Sequence, residues 1–239
     1  VRAPCVGMVT AGLVLQCLAA GAASVGLLAM KGCPHGAHGA IPATVGFCHD
    51  LLKAMGGATE SVSSLTPDDA RNGARTISHA GADGVAERST AMLMLSSSVF
   101  GPQAAAEGVM GLAKALGAVT ALRLEHPASP LGSVAVDPQR CVGCGVCAED
   151  CPTRALRFEG NAEGVSLSFA PRLCVGCSLC VLSCPEKGAI QARKEIDLAG
   201  LLEGRRSLYQ DAQARCEVCG GPISSTNMLS KIAGLLGFE

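Results

Sequence analysis

Cys141-Val142-Gly143-Cys144-Gly145-Val146-Cys147-Ala148-Glu149-Asp150-Cys151-Pro152 recurs, 33 residues on, as Cys174-Val175-Gly176-Cys177-Ser178-Leu179-Cys180-Val181-Leu182-Ser183-Cys184-Pro185. Both copies read C-x2-C-x2-C-x3-C-P. Thiolates are soft ligands, and this spacing is a known iron–sulfur ligation pattern in which the fourth Cys of each run serves the other cluster. By that rule one [4Fe–4S] cluster takes Cys141, Cys144, Cys147 and Cys184. The other takes Cys174, Cys177, Cys180 and Cys151. Zinc favours paired C-x2-C knuckles separated by a longer gap, which this is not. Gly143 and Gly176 are expected to let backbone N–H groups approach the sulfurs. Val142, Val146, Val175 and Leu179 are expected to keep water away, and Pro152 and Pro185 to end the preceding turn.

Working outward, Ala155 to Phe158 and Val165 to Phe169 read as two strands around a Gly/Asn turn, a hairpin between the repeats. Upstream, His126-Pro127-Ala128-Ser129-Pro130-Leu131-Gly132-Ser133 carries two Pro and a Gly and reads as a linker. The expected division is therefore an N-terminal domain over 1–125, a linker over 126–135, a cluster-binding domain over 136–195 and a C-terminal extension over 196–239. After Lys194 the chain reads as a charged helical segment, and Ser224 or Ser225 is placed to cap a last amphipathic helix.

The N-terminal domain reads as α/β. Val6 to Val9 is a short buried strand, Thr10 an N-cap, Ala11 to Ala20 a helix and Ser24 to Met30 a second strand, the pattern of a βαβ unit with parallel strands. Phe47 to Met55 and Gln103 to Leu116 read as helices, the latter stopped by Gly117. Ala91 to Ser96 reads as a strand. No charged side chain occurs between Ala3 and Met30, but the glycines and polar residues in that stretch favour buried strand–helix–strand over a membrane span. The overall expectation is an α/β chain: a small parallel-sheet domain, an α+β cluster-binding domain and a helical tail.

Composition narrows the function classes. Apolar residues make up 49 % of the 239, with no Trp and one Tyr, so the core is expected to use small aliphatic side chains. The formal charge of −1 implies no broad electrostatic attraction to nucleic acid or anionic lipid, and no nucleic-acid partner is expected. Fourteen Cys, eight of them in two tight runs, point to metal rather than disulfides, and thus to a reducing, cytoplasmic compartment. No secretory leader is read in the opening residues, and what precedes Val1 is left open. No P-loop and no dinucleotide-binding glycine motif is present. The chain is expected to relay electrons, with no catalytic residue of its own.

Cys141 to Pro185 resembles a two-cluster bacterial ferredoxin over about a quarter of the chain. The N-terminal part resembles the iron–sulfur (delta) subunit of methyl-viologen-reducing hydrogenase. The residues carrying this are Cys5-Val6-Gly7-Met8-Val9, Ala19-Ala20-Gly21-Ala22-Ala23-Ser24-Val25, Gly32-Cys33-Pro34-His35-Gly36, and Glu87-Arg88 with the strand to Ser96. That resemblance implies a [2Fe–2S] cluster and a link between hydrogenase or formate dehydrogenase and heterodisulfide-reductase-type partners. Cys5 and Cys33 match the family's ligands. The family's Cys pair upstream of Cys5 has no counterpart, and His38 replaces the second Cys of the glycine loop. Two readings stand: a third cluster completed by other ligands, or a cluster-free docking domain. Cys216-Glu217-Val218-Cys219-Gly220 resembles the tails of some ferredoxin-type subunits of formate-hydrogenlyase-like complexes. Cys216 and Cys219 are read as half of a zinc site, a redox pair or structural thiols. Cys17 and Cys48 fall in helices and read as buried apolar residues.

The resulting expectation is an electron-transfer subunit working between flavin-, hydrogenase- or formate-dehydrogenase-type subunits of an oxidoreductase complex. A freely diffusing ferredoxin and an iron–sulfur sensor are the competing readings.

Overall fold

The computed structural model describes residues 9–28, 39–66, 68, 101–161 and 164–237. The chain divides into two compact units, Val1–Leu122 and Arg123–Glu239.

In the first unit, helix α1 spans Ala11–Ala19 and starts at Thr10, whose side chain accepts the Leu13 N–H. Its buried face is Ala11, Gly12, Val14, Leu15 and Leu18. Strand β1, Val25–Leu28, follows, then helix α2, Ala40–Ala54, then strand β2, Val62–Leu65, and helix α3, Pro102–Leu116. β1 and β2 pair in parallel, Val25 opposite Val62, with α2 in the connection between them. Parallel neighbours need such a crossover. The parallel sheet expected from sequence is therefore present, and among the described residues the partner of β1 is Val62-Ser63-Ser64-Leu65, a stretch with no strand signal in the sequence. Two adjacent serines mask the apolar pattern. The expected strands Val6 to Val9 and Ala91 to Ser96 lie wholly or mostly outside the described residues.

Small residues decide how α1 meets α3. A Cβ on Gly12 would lie 2.9 Å from Ala105, and one on Gly108 would lie 3.0 Å from the Gln16 nitrogen. The two backbones approach to side-chain-free contact, and Gln16 Nε2 donates to the Ala104 carbonyl at 2.9 Å. Gly117, at φ 65°, ends α3 in the left-handed conformation that glycine tolerates best. α2 contributes the fully buried Phe47, Cys48 and Leu51. Among the described residues no helix is long and apolar enough to cross a membrane.

The second unit is built on the internal repeat. Its elements are β3 (Arg123–Glu125), β4 (Ser133–Val136), α4 (Val146–Glu149), β5 (Leu156–Gly160), β6 (Val165–Phe169), α5 (Leu179–Leu182), β7 (Ile190–Arg193), β8 (Glu195–Asp197), α6 (Leu198–Glu203), β9 (Arg206–Asp211), β10 (Gln213–Arg215), β11 (Pro222–Ser225) and α7 (Thr226–Leu236). Each repeat supplies a strand, a cysteine loop, a one-turn helix and a second strand. The halves interlock because β4 of the first pairs antiparallel with β7 of the second, while β5 pairs with β6. Between them lies an apolar core centred on Phe169, Leu156, Leu167, Ile190, Val134 and Tyr209. The β5–β6 turn is closed by Asn161, whose N–H donates to the Gly164 carbonyl and whose side chain accepts the Gly164 N–H.

Two segments differ from the sequence reading. Residues 126–135, read as a linker, are packed: Ser129 and Leu131 are each 1 % exposed, and the Gly132 N–H donates to the Cys174 carbonyl. A Cβ on Gly132 would stand 2.5 Å from the Gly176 Cα, so the absence of a side chain is what lets this stretch press on the second cysteine loop. Pro, Ser and Gly signal irregular backbone, which is present, but not slackness. The segment after Lys194 is not one charged helix. It has six helical residues in α6, then β9, which joins β6 as the third strand of the sheet β5–β6–β9. β10 and β11 then form a hairpin, and Ser225 caps α7 by accepting the Met228 N–H at 3.2 Å. Asp197 anchors the start of this extension. It caps α6 through Gly200 and takes a 2.8 Å ion pair from Arg123. Burial alone would raise its pKa, but the hydrogen bonds from Arg123 and Gly200 and the Arg206 charge hold it below the ordinary carboxylate range.

Candidate iron–sulfur centres

Each cysteine loop is shaped by two residues with positive φ. In the first they are Gly143 (65°) and Gly145 (79°), in the second Gly176 (63°) and Ser178 (63°). The first of each pair turns its N–H onto the leading cysteine sulfur, Gly143 to Cys141 and Gly176 to Cys174. The second opens the one-turn helix that carries the third cysteine, Cys147 on α4 and Cys180 on α5. The fourth cysteine follows that helix. Cys184 Sγ donates to the Glu186 carbonyl at 3.3 Å, and Cys151 Sγ lies 3.7 Å from Thr153 Oγ1.

Ser178 occupies a conformation that costs an L residue about 1–2 kcal/mol, and its hydroxyl makes no capping bond there. We expect Ser178→Gly to raise stability by about 0.5–1 kcal/mol after glycine's own entropic cost, read as a higher melting temperature under anaerobic conditions. The reverse change at the equivalent position, Gly145→Ser, places a Cβ 2.8 Å from the Phe158 ring and should destabilise.

Two cavities lie under these loops. One is lined by Cys141, Cys144, Cys147 and Cys184. The other is lined by Cys151, Cys174, Cys177 and Cys180. Each takes three cysteines from one run and the fourth from the other. The rest of the walls is mostly apolar: Val136, Leu167 and Ile190 in the first, with Glu186 its charged member, and Val134, Leu156 and Phe169 in the second, with Thr153 and Ser178 its polar members. Val142 and Val175 line the cavities as the sequence predicts. Leu179, 40 % exposed, also lines the second cavity, whereas Val146, 37 % exposed, lines neither and is a poorer shield than expected.

Burial sets the thiol chemistry. Cys147 is pushed up to about 12, and Cys174 and Cys180 to about 11, by burial first and then by neighbouring thiols of like charge. Burial also raises Cys141, against the Gly143 N–H. Such sulfurs hold protons at neutral pH until a cationic group compensates the thiolate charge. Among the described residues no three His, Cys, Asp or Glu side chains gather closely enough for a single metal ion. Four thiols framing a cavity without converging on a point fit a cube of irons and sulfides, with one thiolate at each corner iron. Cys177 is the exposed member of the eight.

The remaining sequence candidates are placed differently. Cys5, Cys33 and His38 lie outside the described residues. Cys48 is fully buried in α2, as expected, whereas Cys17 on α1 is half-buried. Cys216 and Cys219 share the β10–β11 turn, which is closed by reciprocal bonds of 2.8 Å from Cys216 N to Gly221 O and from Gly220 N to Cys216 O. The N–H groups of Cys219 and Val218 and the Cys219 thiol all bond Cys216 Sγ and pull its pKa down.

Tyr209, Asp211 and Ser225 adjoin the first cavity's loop without any signal in the cysteine spacing. A Cβ on Gly143 would stand 2.9 Å from the Tyr209 ring and 3.1 Å from Ser225. Ser225 Oγ donates to the Val142 carbonyl at 2.5 Å. The one hint in the sequence is that Tyr209 is the only tyrosine of the chain.

No curated protein matches this chain. A family model described as a 4Fe-4S dicluster domain matches residues 140–189, which contain all eight cavity cysteines. This part of the chain is a ferredoxin-type iron–sulfur module that binds 4Fe–4S and transfers electrons.

Proposed function

We propose that the chain carries two [4Fe–4S] clusters and serves as the electron-relay subunit of a larger oxidoreductase complex. The observation that carries the two-cluster reading is the sorting of eight cysteines into two four-thiol cavities, each completed by a residue from the opposite run. Cys141, Cys144, Cys147 and Cys184 hold one cluster; Cys174, Cys177, Cys180 and Cys151 hold the other. When bound, such clusters each accept and release one electron. The protein's part is to exclude water with the apolar walls, to donate the Gly143 and Gly176 N–H groups to the ligand sulfurs, and to leave one edge near Cys177 open to a partner.

The subunit reading rests on the rest of the chain. All eight cavity cysteines belong to the second unit, so the first unit is available for docking. Its resemblance to the hydrogenase delta subunit favours hydrogenase, formate dehydrogenase, flavin or heterodisulfide-reductase-like partners. Cys5 and Cys33 would belong to a [2Fe–2S] centre only if other residues complete it. The paired thiols of Cys216 and Cys219 on one turn suit half of a zinc site that needs two ligands from elsewhere.

Size-exclusion of an anaerobic native extract, followed by immunodetection of this chain, tests the subunit reading. We expect the chain to elute with partners well above its own mass. A lone peak at the monomer position would leave a freely diffusing ferredoxin instead.

A further inference from the structure

The two cavities are not electrostatically alike. At the first, the extension after Lys194 lies over the cysteine loop. β9 pairs with β6 so that Tyr209 faces Leu167, a lining residue of that cavity, and Asp211 faces Val165. Asp211 is fixed there. It accepts from Thr226 Oγ1 at 2.6 Å and from the N–H groups of Asn227 and Ala212 at 2.8 Å. Asn227 in turn donates to the Tyr209 hydroxyl at 2.8 Å. These donors outweigh burial and keep the Asp211 carboxylate ionised, and its charge acts on Cys141. Asp211 makes no ion pair among the described residues. Two further carboxylates at this end are paired: Glu186, which lines the cavity, with Lys231, and Asp137, whose carbonyl accepts the Cys141 N–H, with Arg140.

At the second cavity the fixed charge has the opposite sign. The Arg205 guanidinium donates to the carbonyls of Ala155, which lines that cavity, and of Arg154, at 3.5 and 3.4 Å, and to Ser168 Oγ at 3.1 Å. Its charge couples to Cys151. Arg157 adds to it and Glu159 opposes it. Lys194 stands over the same end, its Cγ 2.9 Å from where a Cβ on Gly176 would be.

A nearby anion disfavours the added electron and a nearby cation favours it. We propose that Asp211 and Arg205 form a built-in charge gradient. It lowers the potential at the Cys141/Cys144/Cys147/Cys184 end and raises it at the Cys151/Cys174/Cys177/Cys180 end. A singly reduced chain then keeps its electron at the second end, beside the exposed Cys177, which is where electrons are exchanged with a partner. This rests on the two-cluster reading above. The redox balance is one electron from an external reductant to one cluster, with no bond made or broken.

The test is a potentiometric titration followed by EPR on wild type, Asp211→Asn and Arg205→Gln, each with iron counted first. The midpoint that survives in Cys184→Ser assigns the second cluster. Asp211→Asn should raise the first cluster's midpoint alone and Arg205→Gln should lower the second's alone. Each should shift the occupancy ratio between the clusters about three- to tenfold, tenfold being about 59 mV for one electron. Asn keeps an acceptor for the α7 bonds. If Asp211→Asn fails to fold, Arg205→Gln decides the matter. Unmoved midpoints, or each charge moving the opposite cluster, would overturn the gradient. Fewer than about eight irons in wild type would instead overturn the two-cluster reading on which it stands.

Discussion

Cys184→Ser should cost the chain about half its iron, from about eight to about four atoms, while the cluster held by Cys151, Cys174, Cys177 and Cys180 survives. The expectation depends on geometry rather than on sequence neighbourhood. Cys184 ends the second run, yet it lines the first cavity with Cys141, Cys144 and Cys147. Cys151→Ser should do the reverse. A double check comes from EPR: the spin coupling between two reduced clusters should vanish in both variants, leaving a simple signal of a single reduced cluster. If Cys184→Ser instead removed the cluster of its own run, the crossed assignment would be wrong even though the motif is right. Ser retains the size of the side chain and supplies a harder, more basic donor, so the loss reports the sulfur itself.

Phe169→Ala should be the most damaging change that touches no ligand. The ring is fully buried, lines the second cavity and sits at the end of β6, with Leu156 and Leu167 around it. The Arg206 guanidinium lies 5.7 Å from its centroid. Removing a buried Phe costs about 3–5 kcal/mol in lost transfer energy and residual cavity, a large share of a typical domain's 5–15 kcal/mol. An anaerobic thermal melt should show the transition lowered by roughly 10 °C or more. The cavity wall opened by the change should also speed loss of the cluster at that end, visible as faster bleaching of the visible absorbance in air. A melting temperature within a few degrees of wild type would show that the second cavity is not part of a continuous packed core.

How much of this was readable beforehand depended on whether the signal was local. Metal ligation is written in short spacings, so all eight cavity cysteines could be named from the sequence. So could helix ends set by one residue, as Thr10, Gly117 and Ser225 show, and the hairpin around Asn161. What depended on tertiary partners was hidden. β2 carries Ser63 and Ser64 and becomes a strand only by pairing with β1. β9, Arg206-Ser207-Leu208-Tyr209-Gln210-Asp211, has a charged, mixed pattern that reads as helix surface until β6 offers its edge. The 126–135 segment shows its irregular backbone in its composition, but its burial follows from Gly176, more than forty residues away. The same limit applies to the site. Spacing picked out the eight cysteines that line the cavities, whereas Tyr209, Asp211, Ser225 and Arg205 reach the cavities only through the fold of the extension.

Iron and acid-labile sulfide analysis of anaerobically purified protein, with EPR after dithionite reduction, decides whether two cubane clusters occupy the two four-cysteine cavities. Two such clusters should give about eight irons and eight sulfides per chain and a spin-coupled signal from both once reduced. Zinc without iron, or about four irons with an uncoupled signal, would contradict the two-cluster reading.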